Sequence, residues 1–251
     1  MSKKHIWIIG ASSGIGRALA KNLAAQGYKL YLSARRQDAL SELNEELGGY
    51  HKILPLDITN EDTIKKTVSE IDLLDSVICM SGTYKPRAIE EVKNELASAI
   101  LKVNLLGPIC IIEHILPKFL AQKSGQIVLC GSVAGYTGLP NAQPYGASKA
   151  GLINYAESLR AEMSEQNIDV KIINPGFVKT PMTDKNDFDM PFITTPEKAA
   201  SVIAKSLDRK AFEIHTPKIF TYMMKLLHVL PYWLKMPLLK MADKDNKASA
   251  D

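Results

Sequence analysis

An α/β fold, a doubly wound parallel sheet with helices on both faces, is what this sequence predicts, and three observations carry it. Short apolar runs alternate with longer amphipathic stretches, the rhythm of strands joined by crossover helices. The short runs are apolar throughout rather than at every second residue, as strands covered on both faces require. The first of them ends in a glycine turn that opens a helix.

HIWIIG (5–10) is the first strand. Its basic flank and short apolar run lead straight into the glycine turn, so it reads as a strand rather than a signal peptide. A helix over 15–26 follows, with Gly27 placed to end it. KLYLSA (29–34) is the second strand, followed by a helix over 37–47 and a third strand, HKILPL (51–56). Thr59 or Asn60 can cap the next helix, 60–72, where Glu61 puts a carboxylate at the positive end. DSVICM (75–80), two helices over 89–121, GQIVLCG (125–131), a helix over 145–166 and DVKIIN (169–174) complete the regular part. No repeat or Pro/Gly/Ser-rich linker divides the chain, so residues 1–251 read as one domain with a less regular C-terminal third.

A chain of 251 residues, 46% hydrophobic and 23% charged, can bury a large core and is neither disordered nor of low complexity. Cys79, Cys110 and Cys130 are odd in number and form no close pair. That argues against a disulfide framework or a zinc site and for a reducing, cytoplasmic setting. No stretch offers the ~20 uninterrupted apolar residues of a membrane-spanning helix. The net charge of +4 is uneven: Arg209 to the end holds eight Lys/Arg against four Asp/Glu, which is the whole excess. A nucleic-acid binder would be basic more evenly.

In IIGASSGIGRALA, Gly10, Gly14 and Gly16 follow a strand and open a helix. Glycines there permit a tight turn and close approach of backbone to a pyrophosphate, which the helix N-terminus then receives. A plain glycine-rich turn has the same letters. About 18 residues on, where an NAD site places an acid for the ribose 2′-hydroxyl, this chain has Ala34 followed by Arg35 and Arg36. Guanidinium in place of carboxylate favours a 2′-phosphate, hence NADP(H), with Arg35 the stronger candidate.

Tyr145 and Lys149 in PYGASKAG lie four residues apart on one helical face. A nearby ammonium is expected to lower the phenol's pKa from near ~10 toward a useful proton exchanger. Alone, the pair is equally a helical surface pair. Ser132 lies just past the fifth strand, at the sheet edge where ligands bind, and could hydrogen-bond the same carbonyl oxygen. Asn104 is either an ordinary helical amide or the holder of a water in a proton relay.

With these residues in this order, the chain resembles the short-chain dehydrogenase/reductase family in its compact form, a Rossmann fold, from about residue 5 to 180. The resemblance also takes in Asp57 after the third strand and the Asn174–Pro175–Gly176 turn. It implies that Tyr145 is the acid/base, Ser132 polarises the carbonyl, Lys149 holds the nicotinamide ribose and lowers the phenol's pKa, and Asn104 maintains the relay. It implies cofactor contacts from Gly10, Ser12, Ser13, Gly14, Ile15, Gly16, Arg35 and Arg36, and adenine contacts from Asp57 and Ile58. Ser81 and Gly82 follow the fourth strand, and Pro175, Gly176, Val178 and Thr180 border the nicotinamide. Asp57 and Pro175–Gly176 serve equally as turn residues. Two positions depart from the family pattern: Cys79-Met80-Ser81-Gly82 stands where Asn-Asn-Ala-Gly is common, and Ile9 where threonine precedes the first glycine. Both departures bear on cofactor-site geometry. The resemblance further implies a homodimer or homotetramer through the helices at 100–121 and 145–166.

Residues 177–195 read as the substrate-covering loop, with Phe177, Met182, Phe188, Met190 and Phe192 either contacting a hydrophobic carbonyl substrate or anchoring the loop. Lys218 to Lys240, inside a basic apolar segment of about 217–241, has four lysines and no acid, and Pro231 and Pro237 are expected to divide it into short segments. It reads as a helix docked on protein or as a peripheral membrane contact. The function expected is NADPH-dependent carbonyl reduction. The rivals are an idle NADP(H)-binding sensor or membrane-associated scaffold, and an NAD-linked alcohol dehydrogenase.

Overall fold

The computed structural model describes residues 4–185 and 190–248, without the side chains of 185 and 242–248. Seven strands form one parallel sheet in the order β3-β2-β1-β4-β5-β6-β7. They are β1 His5–Ile9, β2 Lys29–Ser33, β3 Lys52–Ile53, β4 Ser76–Cys79, β5 Gly125–Cys130, β6 Ile168–Pro175 and β7 Glu213–Thr216. The helices are α1 Gly14–Ala25, α2 Gln37–Glu46, α3 Glu61–Ser69, α4 Asn94–Leu101, α5 Gly107–Gln122, α6 Gln143–Met163, α7 Pro196–Ser206, α8 Lys218–Val229 and α9 Tyr232–Ala248.

β1 shows how the sheet divides the core. Trp7 and Ile9 face one layer with Ile111, Ile115 and Phe119 of α5, whereas Ile6 and Ile8 face the other with Leu19 and Leu23 of α1. Period-two alternation sends successive side chains to opposite faces, and both faces are covered, so the strand is apolar throughout. The one polar atom of Trp7 is satisfied: Nε1 donates to Ser33 Oγ at 2.8 Å. Because β2 lies on one side of β1 and β4 on the other, the chain reverses direction across the sheet at β1/β4. In open α/β sheets such a reversal is where ligands bind, outside the carboxyl ends of the strands.

Several expected boundaries are corrected. Asn60 alone caps α3, accepting from the Asp62 and Thr63 amides at 3.0 and 3.3 Å. Residues 89–121 hold a short 3₁₀ turn, Ile89–Glu91, then α4, a π-helical segment Lys102–Leu106 and α5. The run Asn94–Gln122 is apolar and long enough to cross a membrane, with mean hydropathy 1.7. Its Ile100, Ile111, Ile112, Ile115 and Phe119 are instead buried in the protein core. α7 and β7 lie in the stretch read as irregular; Thr195 caps α7, accepting from the Lys198 amide at 3.3 Å. Pro237 does not break the tail but sits inside α9. It removes one donor, near an exposed Trp233, where solvent can take the freed carbonyl.

Candidate active site

The glycine turn packs so tightly that two positions admit no side chain. A Cβ on Gly10, whose φ is +92°, would lie 2.8 Å from the Ser81 amide nitrogen, and one on Gly16 would lie 2.2 Å from the Gly10 carbonyl oxygen. The turn is thereby pressed onto the segment after β4. Ser13 precedes α1 in extended conformation with no side-chain cap, and the first turn holds no acid. The first amides of α1 and their positive potential are left to the crevice, a cradle that fits a pyrophosphate.

At the end of β2, Arg36 Nη2 donates to Ser12 Oγ at 3.4 Å, placing a guanidinium beside the turn. The Asp57 carboxyl is held below its ordinary value first by the Thr59 amide, then by the Thr59 hydroxyl and the charge of Arg35. Its Oδ1 accepts from those two Thr59 groups at 2.9 and 2.7 Å, so Asp57 is a turn residue that also faces Arg35. The Ile58 side chain belongs to the core, where a Cβ on Gly107 would come within 2.7 Å of it. Contact between Ile58 and an adenine would therefore fall to its backbone.

Tyr145 and Lys149 come together in the first turns of α6. Lys149 is buried, its Nζ donates to the Cys130 carbonyl at 2.6 Å, and it stands 5.7 Å from the centre of the Tyr145 ring. Tyr145 is half-buried as a residue. Loss of hydration pushes its phenol up to about 12, with the Ser132 hydrogen bond opposing the rise and the Cys130 thiol adding to it. Loss of hydration thus sets the direction of the shift, and the Lys149 ammonium is turned to a carbonyl. Burial also lowers the Lys149 ammonium. Ser132 Oγ accepts from the Ala134 amide at 3.1 Å, which fixes its rotamer.

Asn104 sits in the π-helical segment and is fully buried. Its Oδ1 accepts from the Thr83 amide at 2.7 Å, and its Nδ2 donates to the Thr83 carbonyl at 2.9 Å and to Ser148 Oγ at 3.1 Å. Ser148 Oγ in turn donates to the Tyr145 carbonyl at 2.6 Å. The amide thus ties the segment after β4 to α6. A Cβ on Gly82 would lie 3.6 Å from both Asn104 Oδ1 and Lys149 Nζ, so these three residues converge.

Sequence reasoning missed Tyr84. Its ring lies 4.9 Å from that of Tyr145 at 59°, and burial, then the neighbouring phenol, pushes it up to about 12. Lying in a loop, it carries no periodic signal that could have singled it out.

Past β6 the chain crosses the crevice. The Gly176 amide donates to the Thr216 carbonyl at 2.8 Å, and Val178 is buried. A Cβ on Gly14 would lie 3.2 Å from the Thr180 methyl, so Thr180 reaches over the glycine turn. The terminal methyl of Met182 would lie 3.8 Å from a Cβ on Gly82. Phe177 and Phe192 set their rings 5.3 and 6.2 Å from that of Phe220. Phe188 lies outside the described residues. α8 is thus docked against the site, as one of the two tail readings expected.

Comparison with known proteins bears on the fold and the family. A family model described as short chain dehydrogenase matches residues 4–190. An uncharacterized oxidoreductase of Myxococcus xanthus is 31% identical over 238 residues, 92% of this chain and 94% of that protein. A 3-oxoacyl-(acyl-carrier-protein) reductase of Rickettsia bellii is 32% identical over 214 residues, 81% and 89% of the two chains. A short chain dehydrogenase from Burkholderia cenocepacia, solved in complex with NADP, superposes with a TM-score of 0.85 at 23% identity, over 95% of this chain and 98% of that one.

Proposed function

The chain belongs to the short-chain dehydrogenase family, and from that premise we propose that it is an NADPH-dependent reductase converting an apolar ketone or aldehyde to an alcohol. The observation that carries this reading is the buried Lys149 set 5.7 Å from the centre of the Tyr145 ring, at the carboxyl edge of the sheet. NADPH, when bound, supplies the hydride. Gly10, Gly14, Gly16 and the open first turn of α1 would hold its pyrophosphate, Arg35 and Arg36 its 2′-phosphate, and Lys149 its nicotinamide ribose. The missing acid at the end of β2 and the two guanidinium groups support the phosphate-bearing cofactor.

A phenol held at about 12 is protonated at neutral pH, the state that reduction needs. The alkoxide forming on the substrate is the stronger base, so Tyr145 gives up its proton as the carbonyl is reduced. Ser132 donates to the same oxygen and fixes its position. The phenolate left behind would gain from the positive charge of Lys149, 5.7 Å from the ring centre.

Tyr145→Phe tests the proposal. Turnover should fall on the order of 10²-fold or more, while NADPH affinity, measured by fluorescence titration, stays near that of the wild type. Undiminished turnover on a panel of apolar carbonyl compounds would remove Tyr145 from the mechanism.

A further inference from the structure

The last two helices present an apolar surface that the fold leaves uncovered. α8 buries Phe220, Thr221 and Met224 against the body. Its opposite face carries Ile219, Tyr222, Met223, Leu226 and Val229, three or four residues apart or adjacent, all exposed. α9 continues the surface: Tyr232 and Trp233 are 77% and 74% exposed, and Met236, Leu238 and Met241 are exposed as well. So many exposed large apolar residues in one short segment mark an interaction site rather than the scattered apolar residues of any surface.

Charge selects the partner. From Lys218 to Met241 there is no Asp or Glu. Lys218, His228 and Lys240 are exposed along the segment, while Lys235 is buried and donates to the His228 carbonyl at 2.7 Å. A second copy docking through residues 218–241 would set cations against cations with no acid in that stretch on either side. An anionic bilayer accommodates every part: the apolar stripe enters the headgroup–acyl boundary, Tyr232 and Trp233 lie at its level, and the cations meet lipid phosphates and carboxylates.

We propose that α8 and α9 seat this protein on an anionic lipid surface. The seating face adjoins the candidate active site, because Phe220 on the inner side of α8 packs on Phe177 and on the exposed Phe192 of the covering loop. A substrate dissolved in the bilayer therefore meets the mouth of the crevice directly, which makes the substrate class a lipid-soluble carbonyl compound. That second step rests on the reductase reading; the seating does not.

Sedimentation of the full chain with vesicles, of phosphatidylcholine alone or mixed with phosphatidylserine, tests the seating. The chain should sediment with the mixed vesicles, less so as salt rises, and Trp233 emission should shift to the blue, while Trp7, already buried, stays constant. Leu226→Glu combined with Val229→Glu should abolish sedimentation at unchanged thermal stability, since both side chains are exposed. Lys218→Gln with Lys240→Gln should weaken binding about tenfold or more, each cation counting separately at a charged surface. Tyr145→Phe should sediment like the wild type, so loss of binding and loss of chemistry remain separate readouts. A long-chain ketone presented in vesicles should be reduced more slowly by the double glutamate variant, and a water-soluble ketone at the wild-type rate. Equal rates with the vesicle-borne ketone would overturn the substrate step. Absence of vesicle binding, or equal binding to both vesicle types, overturns the seating. So does a wild-type dimer that the double glutamate variant converts to monomer, which would assign the face to a second copy.

Discussion

Lys149 and Tyr145 shift in opposite directions for one reason: loss of hydration penalises the charged form of each, an ammonium in one and a phenolate in the other. The spacing of the two residues in sequence shows their shared face but not the depth at which that face sits, and depth decides the sign. Arg35 is the opposite case, an exposed cation whose neighbour Asp57 is already occupied by Thr59. An added phosphate would meet a guanidinium whose nearby acid is turned to its own loop. Arg35→Ala should therefore weaken NADPH binding about 10- to 100-fold, as loss of a charge-assisted pair does, and leave NADH nearly unchanged. Titration of both cofactors measures this, and equal losses would deny Arg35 a role at the 2′-phosphate. Asn104 was legible only as a candidate, because both its hydrogen-bonding ends turn to Thr83, a partner 21 residues away.

Among the elements, α8 owes its position to a small polar anchor at the sheet edge. Glu213 of β7 accepts from Lys225 of α8, from the Tyr136 hydroxyl, and from Asn174 Nδ2 at 2.8 Å. Burial alone would raise the Glu213 carboxyl, but these three donors overcome it and hold the group below the ordinary carboxylate range. A depressed folded value stabilises above the unfolded pKa of about 4.3 and is lost as pH falls through the folded one. Glu213→Gln should loosen α8 at neutral pH by roughly 1–3 kcal/mol, since Lys225 loses its counter-charge. Faster amide exchange confined to 218–229 would show it, and unchanged exchange there would refute the anchor. Acidifying the wild type through the depressed folded pKa of Glu213, below the ordinary carboxylate range, should produce the same loosening. β7 escaped sequence reading because only Ile214 and Thr216 of its four residues are buried, too short an alternation to stand out. α7 had its signal in Thr195 and Pro196, a cap followed by proline at the first helical position. Pro237 misled because proline marks a lost donor, which is not the same as a broken helix.

For the whole molecule, one sheet carries every group of the site at its carboxyl edge, so a ligand bridging the glycine turn, β2 and α6 ties separate elements together. NADPH at a hundredfold excess over its Kd should stabilise the fold by about 2.7 kcal/mol. For a chain of this size that is a rise of roughly 5–10 °C in Tm, read by differential scanning fluorimetry; no rise would count against cofactor binding. The sequence by itself determined the doubly wound sheet, the glycine turn and the order of the candidate residues. Each of these is written in local chemistry: runs of apolar residues, glycines at fixed spacing, a tyrosine and a lysine four apart. Only the tertiary structure decided that burial raises the Tyr145 phenol, that Asn104 braces Thr83, that Tyr84 lies against Tyr145, and that the outer face of α8 stays uncovered. Those outcomes depend on which distant segments come together and how much water they exclude, and neither quantity is carried by any short stretch of chain.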